Sequence, residues 1–382
     1  MKTNILVGGS FHASFLAQAL LNIHEDFVIY TSAPRNKFGK NSNQYEIKFV
    51  PLVASIIQRI TKFNLVKLSE QETILFDKMA SILMRNCDVL YGWAGFSLIS
   101  AEKVKKNGGK FILERSCPHV LFQEELLSIE AEKLKIGCTL RSRSWVQRSI
   151  DEYTLADFIV VPSSYTYNSF IERGIPSKKL CLVELDRKVT LPPQKYWQPE
   201  KKEFVVGMLG GSLLRKGFVY LLEAWNQLNL PNSRLILKAS EKELRASPIV
   251  SNYLNKIKNL EIISYIKNIN EFYQRCDVFC LPSVDEGFGM AAMEALANSL
   301  PVIITKNVGA RDLIESQDVG FIVEPFNSEE IAEKINLFYE NREIIEIMGR
   351  KAYQFTLDRE AQKLKDGGTY NRKIAKLYSS II

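Results

Sequence analysis

The stretch Val278-Phe-Cys-Leu-Pro-Ser-Val-Asp-Glu-Gly-Phe-Gly-Met-Ala-Ala-Met-Glu-Ala-Leu-Ala297 changes character twice. Val278–Leu281 is a short unbroken apolar run, the pattern of a strand buried on both faces. Pro282 ends it, and a loop holding Gly287 and Gly289 follows. Met290 then opens an apolar helix that runs to Ala297. That order leaves the main-chain N–H groups of Gly287, Phe288, Gly289 and Met290 at a helix N-terminus, where an anion is received. Glycines there let a ligand come close to the backbone.

The same alternation of apolar run and helix recurs on both sides of this stretch. Upstream, strands are predicted at Asn4–Val7, Phe27–Tyr30, Glu46–Val50, Asp88–Tyr91, Lys110–Leu113, Phe158–Val161 and Leu180–Val183. Around it they are predicted at Phe204–Leu209, Arg234–Lys238, Leu260–Ile263, Val278–Leu281, Pro301–Ile304 and Gly320–Val323. Helical patterns such as Ala13–Asn22, Glu70–Met84, Phe96–Lys106 and Phe218–Leu228 lie between them. Apolar strands alternating with helices make parallel sheets covered on both faces. Leu191–Lys202, with three prolines, four charges and no periodicity, is a linker.

The expected fold class is therefore α/β, with two Rossmann-like doubly wound domains facing across a cleft. The first domain covers residues 1–190, the linker 191–202 and the second domain 203–355. Residues 356–382 form a C-terminal helix expected to pack back on the first domain. Ligands of such sheets sit at the carboxyl ends of the strands, so the cleft is the expected site.

The 382 residues are 46% hydrophobic and 24% charged, enough apolar material for full cores. The net charge of +7 favours anionic partners, but no nucleic-acid-binding motif accompanies it. The six cysteines form no C-x-x-C pair, and there are only three histidines, so no metal site is expected. No signal peptide and no run of ~18 apolar residues is present, which predicts a cytoplasmic protein.

Two glutamates bracket the glycine loop. Glu286 precedes it, and Glu294 lies just over one turn into the helix. Carboxylates there accept hydrogen bonds from vicinal hydroxyls of a sugar. Alone, each is equally a cap or a surface residue. A second element, Val206-Gly-Met-Leu-Gly-Gly-Ser-Leu-Leu-Arg-Lys-Gly217, follows the first strand of the second domain. Its Arg215 and Lys216 would neutralise a diphosphate, each charge-assisted bond contributing ~1.5–3 kcal/mol.

Here the sequence resembles glycosyltransferase family 4, retaining enzymes of the GT-B fold. Glu286 and Glu294 match that family's E-x7-E signature within Pro-Ser-x-x-Glu-Gly-Phe-Gly and Met-Glu-Ala-Leu-Ala. Val308–Ile314, Gly320–Pro325 and Met348–Ala352 resemble its later elements. The resemblance implies a donor diphosphate on Arg215 and Lys216 beside Gly211, donor hydroxyls on Glu286 and ribose on Glu294. It also implies a base near Tyr265 and Ile266, and a first-domain glycine loop, Gly8-Gly9, against the donor or acceptor. His119 stands where related enzymes keep a histidine near the donor sugar, a position suited to proton handling. His12 and His24 lack such a context.

Two stretches, Pro51–Leu68 and Lys133–Ile150, are basic, amphipathic and free of acidic residues. They fit either peripheral contact with an anionic membrane or a solvated face over a core. The expected function is transfer of a sugar, with retention, from a nucleotide diphosphate sugar to a glycan or lipid-linked acceptor in polysaccharide or glycoconjugate synthesis. No cofactor and no essential metal are expected. A nucleotide-sugar 2-epimerase of the same fold and a catalytically silent sugar-nucleotide-binding partner share these features.

Overall fold

Among the described residues, thirteen strands form two all-parallel sheets in the computed structural model. It describes residues 1–9, 12–33, 43–47, 65–137, 141–185, 191–195, 203–366 and 368–381. In the first sheet the strands are β1 (Lys2–Val7), β2 (Asp26–Thr31), β3 (Gln44–Glu46), β4 (Val89–Trp93), β5 (Lys110–Glu114), β6 (Phe158–Val161) and β7 (Leu180–Leu182). Their order is β3-β2-β1-β4-β5-β6-β7. In the second they are β8 (Phe204–Leu209), β9 (Ser233–Lys238), β10 (Leu260–Ile263), β11 (Val278–Leu281), β12 (Val302–Thr305) and β13 (Gly320–Val323), in the order β10-β9-β8-β11-β12-β13. Every strand expected from the sequence is found within about two residues, the usual uncertainty at element ends, except Glu46–Val50. There the described strand is Gln44–Glu46, and residues 48–50 lie outside the described residues.

Central strands are apolar throughout because helices cover both faces. β4 and β11 are buried at every position. Each sheet reverses its strand order once, between β1 and β4 and between β8 and β11. The second reversal positions the candidate site. Val206 of β8 lies beside Val278 of β11, so the loops leaving these two strands meet although some 70 residues separate them.

Of the linker, Leu191–Lys195 is described and residues 196–202 lie outside the described residues. Tyr353 donates to the Pro192 carbonyl at 2.9 Å. The helix beginning at Arg342 runs on to Asp366, past the boundary expected at 355. Its Ala352 belongs to the second core. Helix Gly368–Ser379 packs on helix Ala13–Asn22 and puts Tyr370, Ile374, Leu377 and Tyr378 into the core of the first sheet.

Candidate active site

The loop after β8 carries Arg215 and Lys216 on a single helical turn, Leu213–Lys216, that ends at Gly217 in the left-handed conformation. The loop after β11 carries Asp285 and Glu286. The two loops are tied through the main chain, since the N–H groups of Val284 and Asp285 both donate to the Arg215 carbonyl, at 2.9 and 3.3 Å. They are tied again through side chains. Arg215 Nε donates to Asp285 Oδ2 at 2.9 Å, and Lys216 Nζ donates to Glu286 Oε2. Burial disfavours the charge on Arg215, but Cys117, Asp285 and Glu286 outweigh it and hold the guanidinium firmly charged.

Glu286 is fixed by its backbone. Its N–H donates to the Asn307 carbonyl at 3.1 Å, and its own carbonyl accepts from Gly309 at 3.0 Å. Helix Met290–Ala297 then starts at Gly289, whose φ of 99° suits glycine, and no side chain caps it. Glu294, one turn in, accepts from the Tyr273 hydroxyl at 3.1 Å, and that hydroxyl also reaches the Ala291 carbonyl at 3.1 Å. Arg215, Lys216 and Glu286 thus lie on two loops that meet just before the uncapped helix start, and Glu294 lies one turn into that helix.

The first domain touches this loop directly. Ser163 Oγ donates to the Gly287 carbonyl at 2.7 Å. A Cβ on Gly287 would lie 1.8 Å from the Ser116 carbonyl oxygen, so only glycine lets the two domains approach here. Ser164 donates through N–H and Oγ to Asp312, both at 2.5 Å. Tyr220 donates to buried Glu130 at 2.6 Å and carries Lys133 over its ring at 4.2 Å.

The other expected residues have surroundings of their own. His119 is 3% exposed. Its Nδ1 accepts from Leu121 N–H and caps helix Val120–Leu134, while its ring packs on Tyr153 and Phe170. Burial, aided by the charges of Arg115 and Arg173, pushes its imidazole down to about 4. The ring is thereby engaged by the first domain's own helix and core. Gly8 and Gly9 follow β1, and their carbonyls accept from Ser32 and Thr31, contacts inside the first domain. Gly211 faces open space beside the site. Tyr265 is 80% exposed, and Ile266 is half-buried against the second core. Both follow edge strand β10, two strand spacings, roughly 10 Å, from β8.

The basic stretch Lys133–Ile150 is largely engaged by protein. Arg148 is buried on Asp77, Arg141 covers Trp145, and Lys133 covers Tyr220. Of the other stretch, residues 51–64 and the side chains of 65–68 lie outside the described residues. Among the described residues no helix is long and apolar enough to cross a membrane, and no group of three His, Cys, Asp or Glu could hold a metal ion.

Two groups escaped the sequence reading. Asp285, beside Glu286, is fully buried and accepts from both domains. His12 contacts Glu114 at the carboxyl ends of β1 and β5, and Tyr91 donates to the same carboxyl at 2.8 Å. Burial pushes the imidazole down and the carboxyl up. The sequence held no signal for either, because their partners are remote along the chain.

Residues 194–355 match the family described as glycosyl transferases group 1. This span contains β8 to β13 and every second-domain residue of the site. An uncharacterized glycosyltransferase of Haemophilus influenzae is 27% identical over 177 residues, 46% of this chain and 50% of the relative. The capsular polysaccharide biosynthesis glycosyltransferase CapM of Staphylococcus aureus is 29% identical over 159 residues, 41% of this chain and 42% of CapM. The chain thus spans about half the length of these curated relatives. The crystal structure of Anabaena HepE in complex with UDP superposes over 100% of both chains, with a TM-score of 0.67 and 17% identity. The fold is GT-B, the two-Rossmann architecture of these glycosyltransferases.

Proposed function

We propose that this protein is a retaining glycosyltransferase that takes its sugar from a nucleotide diphosphate sugar bound mainly by the second domain. The observation that carries this reading is the pairing of Lys216 with Glu286 where the loops after β8 and β11 meet, just before the uncapped start of helix Met290–Ala297. The group 1 match over the same residues supports it.

In this reading the two cations and the peptide dipoles of the loop stabilise the diphosphate as the anomeric C–O bond breaks. The acceptor hydroxyl attacks the oxocarbenium-like centre from the face the diphosphate leaves. His119 is engaged as a helix cap, so the acceptor proton passes to the departing phosphate oxygen. Glu286 orients hydroxyls of the donor sugar, and Glu294 holds the ribose beside Tyr273. Two fixed cations do the work of a divalent ion, so turnover persists in EDTA.

The acceptor is a glycan or lipid-linked glycan, as in polysaccharide synthesis, and the resemblance to CapM supports that class. The protein acts at the cytoplasmic side, where such donors are made. UDP is the first probe, because HepE was crystallised with it. Thermal-shift measurements with UDP, GDP and ADP test the reading, since binding raises stability with occupancy. Donor consumption with and without acceptor then separates transfer from epimerisation. A chain that none of the three nucleotides stabilises would defeat the proposal.

A further inference from the structure

The mechanism uses Arg215 but leaves Asp285 without a part. Asp285 is 0% exposed, and its carboxylate receives three side-chain donors. Arg215 Nε and Gln123 Nε2 both donate to Oδ2, at 2.9 and 2.6 Å. The Tyr165 hydroxyl donates to Oδ1 at 3.3 Å. Gln123 and Tyr165 belong to the first domain. The Gln123 amide is itself oriented, because Arg115 Nη2 donates to its Oε1 at 3.2 Å and so turns Nε2 toward Asp285. Arg115 is anchored by its own loop through Nε and the Pro118 carbonyl, at 3.2 Å. A continuous chain of contacts therefore runs from Arg115 through Gln123 and Asp285 to Arg215.

The neighbouring pair behaves differently by construction. Glu286 and Lys216 are each partly exposed and face one another. An arriving phosphate can part them. Asp285 is held on both sides and in the dry interior, where an unpartnered carboxylate is costly.

We infer that Asp285 is a positioning residue for Arg215, and that the first domain sets the presentation of this arginine through Gln123 and Tyr165. The inference rests on the donor reading for what Arg215 binds. A carboxylate that loses donors takes replacements from the nearest cation, and an arginine offers a bidentate edge. With Gln123 and Tyr165 in place, Asp285 needs only Nε of Arg215, and the Nη edge is turned to a weak acceptor, Cys117 Sγ at 3.8 Å, which a phosphate can replace. When the domains part, Asp285 draws the Nη edge onto itself and withholds it from phosphate. Closure of the cleft and readiness of the diphosphate site become one event.

The test compares nucleoside mono- and diphosphates (UMP and UDP, GMP and GDP, AMP and ADP) by calorimetry on the full chain. The ratio of the two affinities reports the contact to the second phosphate. Tyr165→Phe keeps the ring and removes the donor, and Gln123→Leu removes the amide at similar size. Each should lower that ratio by roughly 3- to 10-fold, with monophosphate binding unchanged. Ser164→Ala removes a different interdomain bond, from Oγ to Asp312, while the N–H bond stays, and should leave the ratio as in the wild type. In an Arg215→Gln background, Tyr165→Phe should have no further effect. Unchanged ratios in both first-domain variants would overturn the inference, as would equal losses in Ser164→Ala or full additivity with Arg215→Gln. A wild-type chain that binds none of the diphosphates defeats the donor reading itself, and this inference falls with it.

Discussion

Lys216 Nζ donates to Glu286 Oε2, so a cation and a carboxylate 70 residues apart are paired where two loops meet; on the donor reading proposed above they are the phosphate-binding and the sugar-orienting groups. Diphosphate and Glu286 then compete for one ammonium. Glu286→Gln should bind free UDP or its equivalent about 5-fold more tightly, since a partly exposed ion pair is worth up to about 1 kcal/mol. The same variant should lose about 100-fold or more in turnover, because the sugar is no longer oriented. Calorimetry and initial rates read the two effects. Equal losses in binding and turnover would show that the pair does not compete.

Gly287→Ala tests the approach of the two domains. The new methyl would meet the Ser116 carbonyl, a backbone atom that cannot swing aside. Overpacking of this kind costs about 1–3 kcal/mol, or the domains separate to relieve it. Turnover should fall at least 10-fold as reacting groups are pulled from alignment. Small-angle scattering should show a larger radius of gyration, and an unchanged radius with full activity would contradict the expectation.

Glu294 and Tyr273 form a second checkable pair. Glu294→Ala should lower kcat/KM about 10- to 100-fold, the range for losing a hydrogen bond to a charged group. Tyr273→Phe leaves the Glu294 side chain in place but less well held, and a rise in donor KM of a few-fold is expected. Circular dichroism should be unchanged in both variants. Full activity in Glu294→Ala would remove it from the site.

His119 gives a prediction about pH. Burial first, then Arg115 and Arg173, depress its pKa from the ordinary 6.5 to about 4. The folded chain therefore binds this proton less readily than the unfolded chain. The stabilising contribution is complete above pH 6.5 and is lost as pH falls from 6.5 through 4. His119→Asn keeps a helix-capping acceptor but no titrating ring. Its melting temperature should fall less steeply between pH 6.5 and 4 than that of the wild type. Parallel curves would mean that the ring titrates normally.

The sheets were legible because buried parallel strands are written as apolar runs, and the loops after β8 and β11 were legible through their glycines and charges. Asp285 was not. Its partners Gln123 and Tyr165 are more than a hundred residues away, and nothing local distinguishes it from a solvated loop acid. His119 shows the converse limit of the sequence. Its position beside the cleft was readable, but a ring can face a helix end and a core as well as a ligand. The basic run Lys133–Ile150 was open to two readings for the same reason, since Arg148 finds Asp77 only in three dimensions.

Helix Gly368–Ser379 completes the core of the first sheet with Tyr370, Ile374, Leu377 and Tyr378. A ribosome makes β1 some 360 residues before that helix emerges, so the domain begun first is finished last. Until then, helix Ala13–Asn22 has an uncovered apolar flank, and the second domain can fold ahead of it. A stop codon just ahead of Gly368 would spare Arg215, Lys216, Glu286 and Glu294 and still leave the first domain unfinished.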